Sequence, residues 1–248
     1  CKGCKAECPS NVDVGKLKAE WQHQYYKSHG VPLRTKLIAN FTKLNKLASN
    51  FPSLYNTITQ AKLSGTLVKR LSGFSAKRSL PKITNQTLTA WYHSKKTLEH
   101  FEKEVYLFCD EFTNYNDTTI GIKAIELLER LKIKVHLIQH EESGRTFLSK
   151  GLLNSAKTVA EKNVKTFSPL ITKEKPLIGI EPSAILSFKD EYLSLVDQSH
   201  KFAAKALAEN VLFIDDYLAQ LIDENFISSR DFKTEQRQIK LHGHCHQK

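Results

Sequence analysis

The hydrophobic pattern divides the chain into two kinds of segment. From Val14 the apolar residues recur at helical spacing, through Leu17, Trp21 and Tyr25, with Asp13 placed as an N-cap and Gly30 with Pro32 as the stop. Helical spacing resumes over Leu33 to Leu47 and over Leu54 to Leu71, with breaks expected at Ser49 to Pro52 and at Ser64-Gly65. Residues 1–103 therefore read as short helices in succession, and the turn-rich stretch 72–85 reads as a linker.

After Glu104 the pattern becomes strand followed by helix. Strands are expected at Val105 to Cys109, Lys134 to Ile138 and Leu177 to Ile180, with helices at Ile120 to Leu131 and Gly151 to Phe167. Helical stretches follow around His200 to Glu209 and Leu212 to Glu224, and a last apolar segment, Ile239 to Leu241, is taken as the fourth strand. This alternation predicts a parallel sheet with right-handed crossovers, and ligands of such sheets bind beyond the carboxyl ends of the strands. The polar residues there are Asp110, Thr113 and Asn114, then His140, Glu141, Ser143, Gly144 and Arg145, then Glu181, Pro182 and Ser183, then His242, His244, Cys245 and His246.

Composition sharpens the division. The chain has 248 residues and a formal net charge of +11, enough length for a sizeable core without disulfides. Residues 1–103 hold 18 Lys and Arg against 5 Asp and Glu, whereas residues 104–248 hold 19 against 21. The cations of the first half, Arg34, Lys36, Lys43, Lys46, Lys69, Arg70, Lys77 and Arg78 among them, suit an acidic protein partner, an anionic membrane surface or nucleic acid. No stretch approaches the about 18 uninterrupted apolar residues of a membrane span. The sequence has no Met and begins inside a cysteine run, so an excerpt of a longer protein is expected.

The run Cys1-Lys2-Gly3-Cys4-Lys5-Ala6-Glu7-Cys8-Pro9 has the spacing C-x2-C-x3-C-P, which matches the end of the bacterial iron-sulfur run. Thiolates are soft, anionic donors that hold iron tetrahedrally while charge delocalises over a cluster. Cys1 and Cys4 would hold one cluster and Cys8 its neighbour, with a further cysteine one C-x2-C spacing upstream. A structural zinc site shares the C-x2-C element, and it would fit a basic, zinc-stabilised nucleic-acid module. The aromatic residues of this half lie at helical core spacing rather than on a stacking face, so no nucleic acid is expected. Cys109, between Phe108 and Asp110, reads as a buried core thiol.

The cysteine run, Ser143-Gly144-Arg145 with Ser149-Lys150-Gly151, Glu181-Pro182-Ser183 and His242-Gly243-His244-Cys245-His246-Gln247-Lys248 together resemble a known family. It is the iron-sulfur and cysteine-rich, Cys-Cys-Gly-type region of FAD-linked 2-hydroxy acid oxidoreductases, such as D-lactate, glycolate and D-2-hydroxyglutarate dehydrogenases. The resemblance implies an α/β protein. A partial ferredoxin-type 4Fe-4S segment over residues 1–30 would lead through a basic helical region and linker, 31–103, to a Rossmann-like parallel cysteine-rich-type domain over 104–248. It implies 4Fe-4S clusters on Cys1, Cys4 and Cys8, FAD in an upstream domain of the same protein, and electron transfer to a redox acceptor protein or a membrane quinone system. A cytoplasmic location follows, with attachment to the inner membrane face as its variant. An iron-sulfur subunit of an anaerobic glycerol-3-phosphate dehydrogenase, or of a heterodisulfide-reductase-like system, is the alternative within this class.

The departures are specific. Such domains carry Cys-Cys-Gly where this chain has Glu142-Ser143-Gly144, and Cys after Glu-Pro-Ser where it has Ala184. Of the module's cysteines Cys245 remains, expected to be completed as a ligand by residues beyond Lys248, with His242, His244 and His246 as its hydrogen-bonding neighbours. The α/β half is therefore expected to be a scaffold that holds no cluster by itself.

Overall fold

The computed structural model describes residues 5, 8–10, 12–96, 100–233, 238–241 and 243. Cys1, Cys4, His242, His244, Cys245 and His246 lie outside the described residues, so the expected ligands among them have no geometry here.

The first half is helical as its spacing predicts. Helix α1, Val14–His29, starts where the Asp13 side chain accepts the Lys16 N–H at 3.1 Å, and it ends at Gly30. Then come α2 (Leu33–Ala39), α3 (Phe41–Ala48), α4 (Pro52–Gln60) and α5 (Lys62–Leu71). The break expected at Ser64-Gly65 falls instead at Ala61. Gly65 lies inside α5 as a packing residue, because a Cβ there would come within 2.4 Å of the Thr59 carbonyl oxygen on α4.

A second correction concerns Val14, Leu17, Trp21 and Tyr25. Trp21 and Tyr25 lie at helical core spacing, yet they and the neighbouring Val14 and Leu17 are exposed, and the buried residue of α1 is Ala19. Periodicity reports that a helix has an apolar face, and only its neighbours decide whether that face is covered.

The stretch 72–85 forms no helix or strand, but it is tethered. Asn56 of α4 accepts the Ile83 N–H at 2.9 Å and donates to the Ile83 carbonyl at 2.8 Å, and Ile83 is buried. Helix α6, Leu88–Ser94, follows and sinks Leu88 into the core of the sheet half.

The second half is α/β, with four parallel strands: β1 (Lys103–Phe108), β2 (Ile133–His136), β3 (Leu177–Gly179) and β4 (Val211–Phe213). Their order is β2-β1-β3-β4, in register at Val105↔Val135, Leu107↔Ile178 and Ile178↔Leu212. Helices α7 (Glu111–Tyr115) and α8 (Thr118–Arg130) connect β1 to β2. Between β2 and β3 lie α9 (Arg145–Ser149) and α10 (Leu153–Phe167). Between β3 and β4 lie α11 (Pro182–Ile185), a 3-10 turn, α12 (Glu191–Leu195) and α13 (Gln198–Glu209), and α14 (Ile214–Asp223) follows β4. The chain leaves β1 first toward β2 and then returns past it to β3. Right-handed crossovers then put α8 on one face and α10 with α13 on the other, and α10 does pack on α13. The buried residues Val105, Leu107, Phe108, Ile133, Leu177, Ile178 and Val211 form the centre of the core.

The fourth strand is where the sequence misleads. Ile239 and Leu241 are almost fully exposed and form no strand. The edge strand is Val211–Phe213, inside a stretch expected to be helical. Three residues lead straight into α14 without a turn residue between them, so helical periodicity runs across the junction. The carboxyl edge is consequently built from the segments after β1, β2 and β3.

Candidate functional site

Reversal of strand order between β1 and β3 opens a crevice at their carboxyl ends, the usual ligand position in open parallel sheets. Here a charged cluster fills it. Asp110 ends the β1 segment as the cap of α7, accepting the Phe112 and Thr113 N–H groups at 2.9 and 3.0 Å and the Thr113 hydroxyl at 2.5 Å. The next residue, Glu111, has a side chain with no exposed surface. Its carboxylate accepts the Ser143 hydroxyl at 2.8 Å, the Ser143 N–H at 3.2 Å and the Arg145 Nε–H at 3.3 Å.

Arg145 is the first residue of α9, reached through Gly144 at φ +75°. That left-handed turn suits glycine and swings the arginine from the β2 side across to the β3 side. Its Nη1 lies 2.5 Å from Glu181 Oε2 and also contacts the Ser183 hydroxyl, while the guanidinium carbon sits 4.5 Å from the Phe112 ring centre. Glu181 in turn caps α11, accepting the Ala184 N–H at 2.7 Å. One cation thus ties together the segments after all three strands.

A second network stands behind it. The Asn163 side chain accepts the Glu141 N–H and donates to the Glu142 carbonyl and to the Tyr192 hydroxyl, which donates to the Ser143 carbonyl at 3.0 Å. His140 is packed on Phe108 and accepts the Cys109 N–H on Nε2 at 3.1 Å, with Nδ1 2.6 Å from the Glu141 carbonyl. That pattern needs the neutral ring protonated on Nδ1, and burial lowers the pKa to about 4. Burial likewise drives the Cys109 thiol far above its usual range, so it is a protonated core thiol, as its sequence context suggests.

The expected edge residues separate into groups. Arg145, Glu181, Ser143 and Ser183 meet in the crevice. Asn114 faces away and accepts the Thr89 N–H at 3.1 Å, and Glu141 pairs with Lys162 at 2.8 Å. Glu111, Asn163, Tyr192 and Asp190 escaped the sequence reading. For Glu111 a signal existed, an acidic residue in the first turn after a strand end, but nothing in the sequence marks it as buried.

Glu142 is one of the residues at which the sequence departs from the Cys-Cys-Gly pattern expected from the resemblance. Its Oε2 accepts the Thr42 hydroxyl at 2.9 Å and the Thr146 hydroxyl at 3.3 Å, joining α3 to α9. Burial raises its carboxyl to about 7, with the Thr42 bond pulling the other way. The folded protein keeps a proton that the unfolded chain releases, so this group makes stability fall as pH rises from about 4.3 to about 7. His140 acts oppositely, since only the unfolded chain takes up its proton, and stability falls as pH drops from about 6.5 to about 4. The two windows overlap and oppose each other, so Glu142→Gln is expected to remove a partial cancellation and make stability fall more steeply as pH drops from about 6.5 to about 4. Urea midpoints across pH check this, and an unchanged slope over that range would contradict the assignment.

The sheet edge does not suit a cluster. Its serine and glutamate donors are hard and already engaged, Ala184 offers none, and the guanidinium fills the crevice. Among the described residues no group of three or more His, Cys, Asp and Glu side chains could hold a metal. Cys8 has a free, partly buried thiol. The segment around Cys8 is held to the α/β half by Lys5 and Lys16, 3.5 and 2.8 Å from the Asp190 carboxylate. Helix α1 then runs over the sheet edge, His23 Nδ1 lying 3.2 Å from the Gly151 carbonyl. Between α1 and the edge is an open cavity of about 1070 Å³, lined by Val14, Leu17, Phe112, Arg145, Ser183 and Leu195 among others.

No family model matches the chain, and no solved structure gives a significant match. D-2-hydroxyglutarate dehydrogenase of Haemophilus influenzae is 26% identical over 201 residues, 77% of this chain and 20% of that protein. The Escherichia coli K12 protein of the same name is 24% identical over 240 residues, 92% of this chain and 23% of that one. One subunit of the anaerobic glycerol-3-phosphate dehydrogenase of Escherichia coli K12 is 23% identical over 241 residues, 96% of this chain and 59% of that polypeptide. The chain spans about a fifth of the length of the hydroxyglutarate dehydrogenases it matches. The relatives are dehydrogenases, and their likeness supports placing this chain with the oxidoreductases.

Proposed function

We propose that this chain is the iron-sulfur electron-transfer region of an oxidoreductase that oxidises a 2-hydroxy acid. Carrying the reading is the cysteine run ending at Cys8-Pro9, in a chain similar over most of its length both to D-2-hydroxyglutarate dehydrogenases and to a component of an anaerobic glycerol-3-phosphate dehydrogenase. Cys1, Cys4 and Cys8 would hold 4Fe-4S clusters, which when bound supply one-electron transfer between a flavin and an acceptor. Cys245 would contribute to a further ligand set. Within this chain Lys5 and Lys16 hold the Cys8 segment against Asp190, and Arg145 spans the sheet edge from Glu111 to Glu181. FAD would belong to an upstream domain of the same protein.

The likeness to the glycerol-3-phosphate dehydrogenase component supports a second arrangement, in which the region serves as one polypeptide of a larger dehydrogenase of glycerol 3-phosphate, with the flavin on another. Both arrangements need the same clusters. The test is anaerobic purification of the full-length protein with iron, acid-labile sulfide and zinc counted. A brown protein that bleaches with dithionite and loses iron on Cys8→Ser is expected. Stoichiometric zinc without sulfide would refute the electron-transfer reading. Turnover with D-2-hydroxyglutarate against glycerol 3-phosphate then separates the two arrangements.

A further inference from the structure

Helix α9 packs against both α1 and α2, and three cations from the three segments meet at that junction. Thr146, near the start of α9, donates its hydroxyl to the Ala39 carbonyl at the end of α2 at 3.2 Å. Lys150, just past the other end of α9, then lies toward Arg34 at the start of α2. Gly151 abuts α1, where a Cβ would come within 3.0 Å of the Ala19 carbonyl oxygen and 2.5 Å of Gln22 Cβ. That contact brings Lys150 beside Lys18, the residue before Ala19. Arg34 is steadied by Phe74, whose ring centre lies 5.6 Å from the guanidinium carbon.

Other cations on the helices around this junction are matched. Lys16 pairs with Asp190, Lys157 with Asp197 and Lys162 with Glu141. Lys18, Arg34 and Lys150 make no ion pair and no side-chain hydrogen bond among the described residues. Burial, and then the charges of Lys18 and Arg34, lower the pKa of the Lys150 ammonium. Like charges held together by three packed helices repel one another, and a bound anion would relieve that repulsion. The same contact leaves a polar atom unpaired: Gln22 Oε1 is buried with no hydrogen-bond partner among the described residues. Such atoms are rare in folded proteins and mark a place that lacks an occupant. Lys150 belongs to the Ser149-Lys150-Gly151 segment, to which the proposed electron transfer gives no role.

We infer that Lys18, Arg34 and Lys150 form a binding site for a small, soluble phosphate-bearing molecule at the junction of α1, α2 and α9. Donors arriving from three separate segments suit a tetrahedral phosphate, whose oxygens spread in three directions. A planar carboxylate is matched by one guanidinium through two parallel bonds and leaves the two ammonium groups unused. Lys150 is partly buried where the helices meet, so the end of the ligand that reaches it is compact. Lys18 and Arg34 are exposed, so the rest of the ligand can stay in solvent. Because α1 directly follows the cysteine run, a phosphate held here would fasten that helix to the α/β half. The inference depends neither on the clusters nor on which substrate is oxidised.

The experiment is equilibrium dialysis of the full-length protein against labelled inorganic phosphate at constant ionic strength. A saturable site with a Kd of about 1 mM or below is expected. Each of Lys18→Gln, Arg34→Gln and Lys150→Gln should weaken it about tenfold, the loss of one charge-assisted bond. Without phosphate, Lys150→Gln is expected to melt no lower than wild type, because one repelling charge is gone, and phosphate should raise the wild-type midpoint but not that of the variant. No saturable binding below about 10 mM phosphate, or three variants that all bind like wild type, would overturn the proposal. A lower melting point for Lys150→Gln without phosphate would also overturn it, since the ammonium would then be stabilising as it stands. Succinate competing as well as phosphate would show that the cluster reads charge alone, and phosphatidic acid vesicles competing at lower phosphate concentration would assign it to a lipid headgroup; either result refutes a site for soluble phosphate.

Discussion

Arg145→Ala is expected to cost about 3–5 kcal/mol of stability, because it leaves the fully buried Glu111 carboxylate without its cation. The reasoning is asymmetric. A buried ion pair gains little over an apolar pair of the same shape, but half of one is an uncompensated charge in a poor solvent. Glu111 would retain only the Ser143 hydroxyl and N–H, and Glu181 would lose its partner across the crevice. Arg145→Lys is expected to recover part of the loss. A single ammonium replaces a planar fork that now reaches both glutamates and stacks on Phe112. Glu111→Gln in the Arg145→Ala background should restore stability toward wild type, since the amide carries no charge and can still bond Ser143. Urea unfolding of wild type, Arg145→Ala, Glu111→Gln and the double variant measures the cycle, with Arg145→Lys measured beside it. A loss below about 1 kcal/mol for Arg145→Ala would mean that the cluster is solvated like a surface ion pair.

Gly151→Ala should free α1 from the α/β half at a cost of about 2–4 kcal/mol, combining left-handed backbone strain with overpacking. Gly151 has φ +68°, and a Cβ there would lie 2.5 Å from Gln22 Cβ and 3.0 Å from the Ala19 carbonyl oxygen. Backbone on both sides leaves nothing flexible to give way, so α1 has to move. Hydrogen exchange is the appropriate readout: faster exchange across α1 with unchanged protection of β1 and β3 is expected. Uniform loss of protection would show that α1 docking and sheet folding are one cooperative unit. Because α1 directly follows the cysteine run, the same variant asks whether docking positions the Cys8 segment.

The longer helices and three of the four strands are legible in the sequence because each is long enough to show its own period or is bounded by turn residues. Val105 to Phe108 and Leu177 to Gly179 read as buried strands, and Asp13 with Gly30 brackets α1. The edge strand Val211–Phe213 is not legible. It owes its state to pairing with β3, a contact some 30 residues distant, whereas its local neighbours favour a helix. Ile239 and Leu241 show the converse, apolar residues that locally suggest a strand and gain no partner in the described structure.

For the site the division is similar. Residue chemistry alone identified the cysteine run and the polar residues destined for the strand ends. Those are properties of residue type and spacing, and they survive any packing. That Arg145 spans from Glu111 to Glu181, and that the apolar faces of α1, α4 and α5 point outward, required the tertiary structure. A side chain's charge partner and its exposure are set by residues far away in sequence, brought near only when strand order reverses between β1 and β3 and the helices take their places around it.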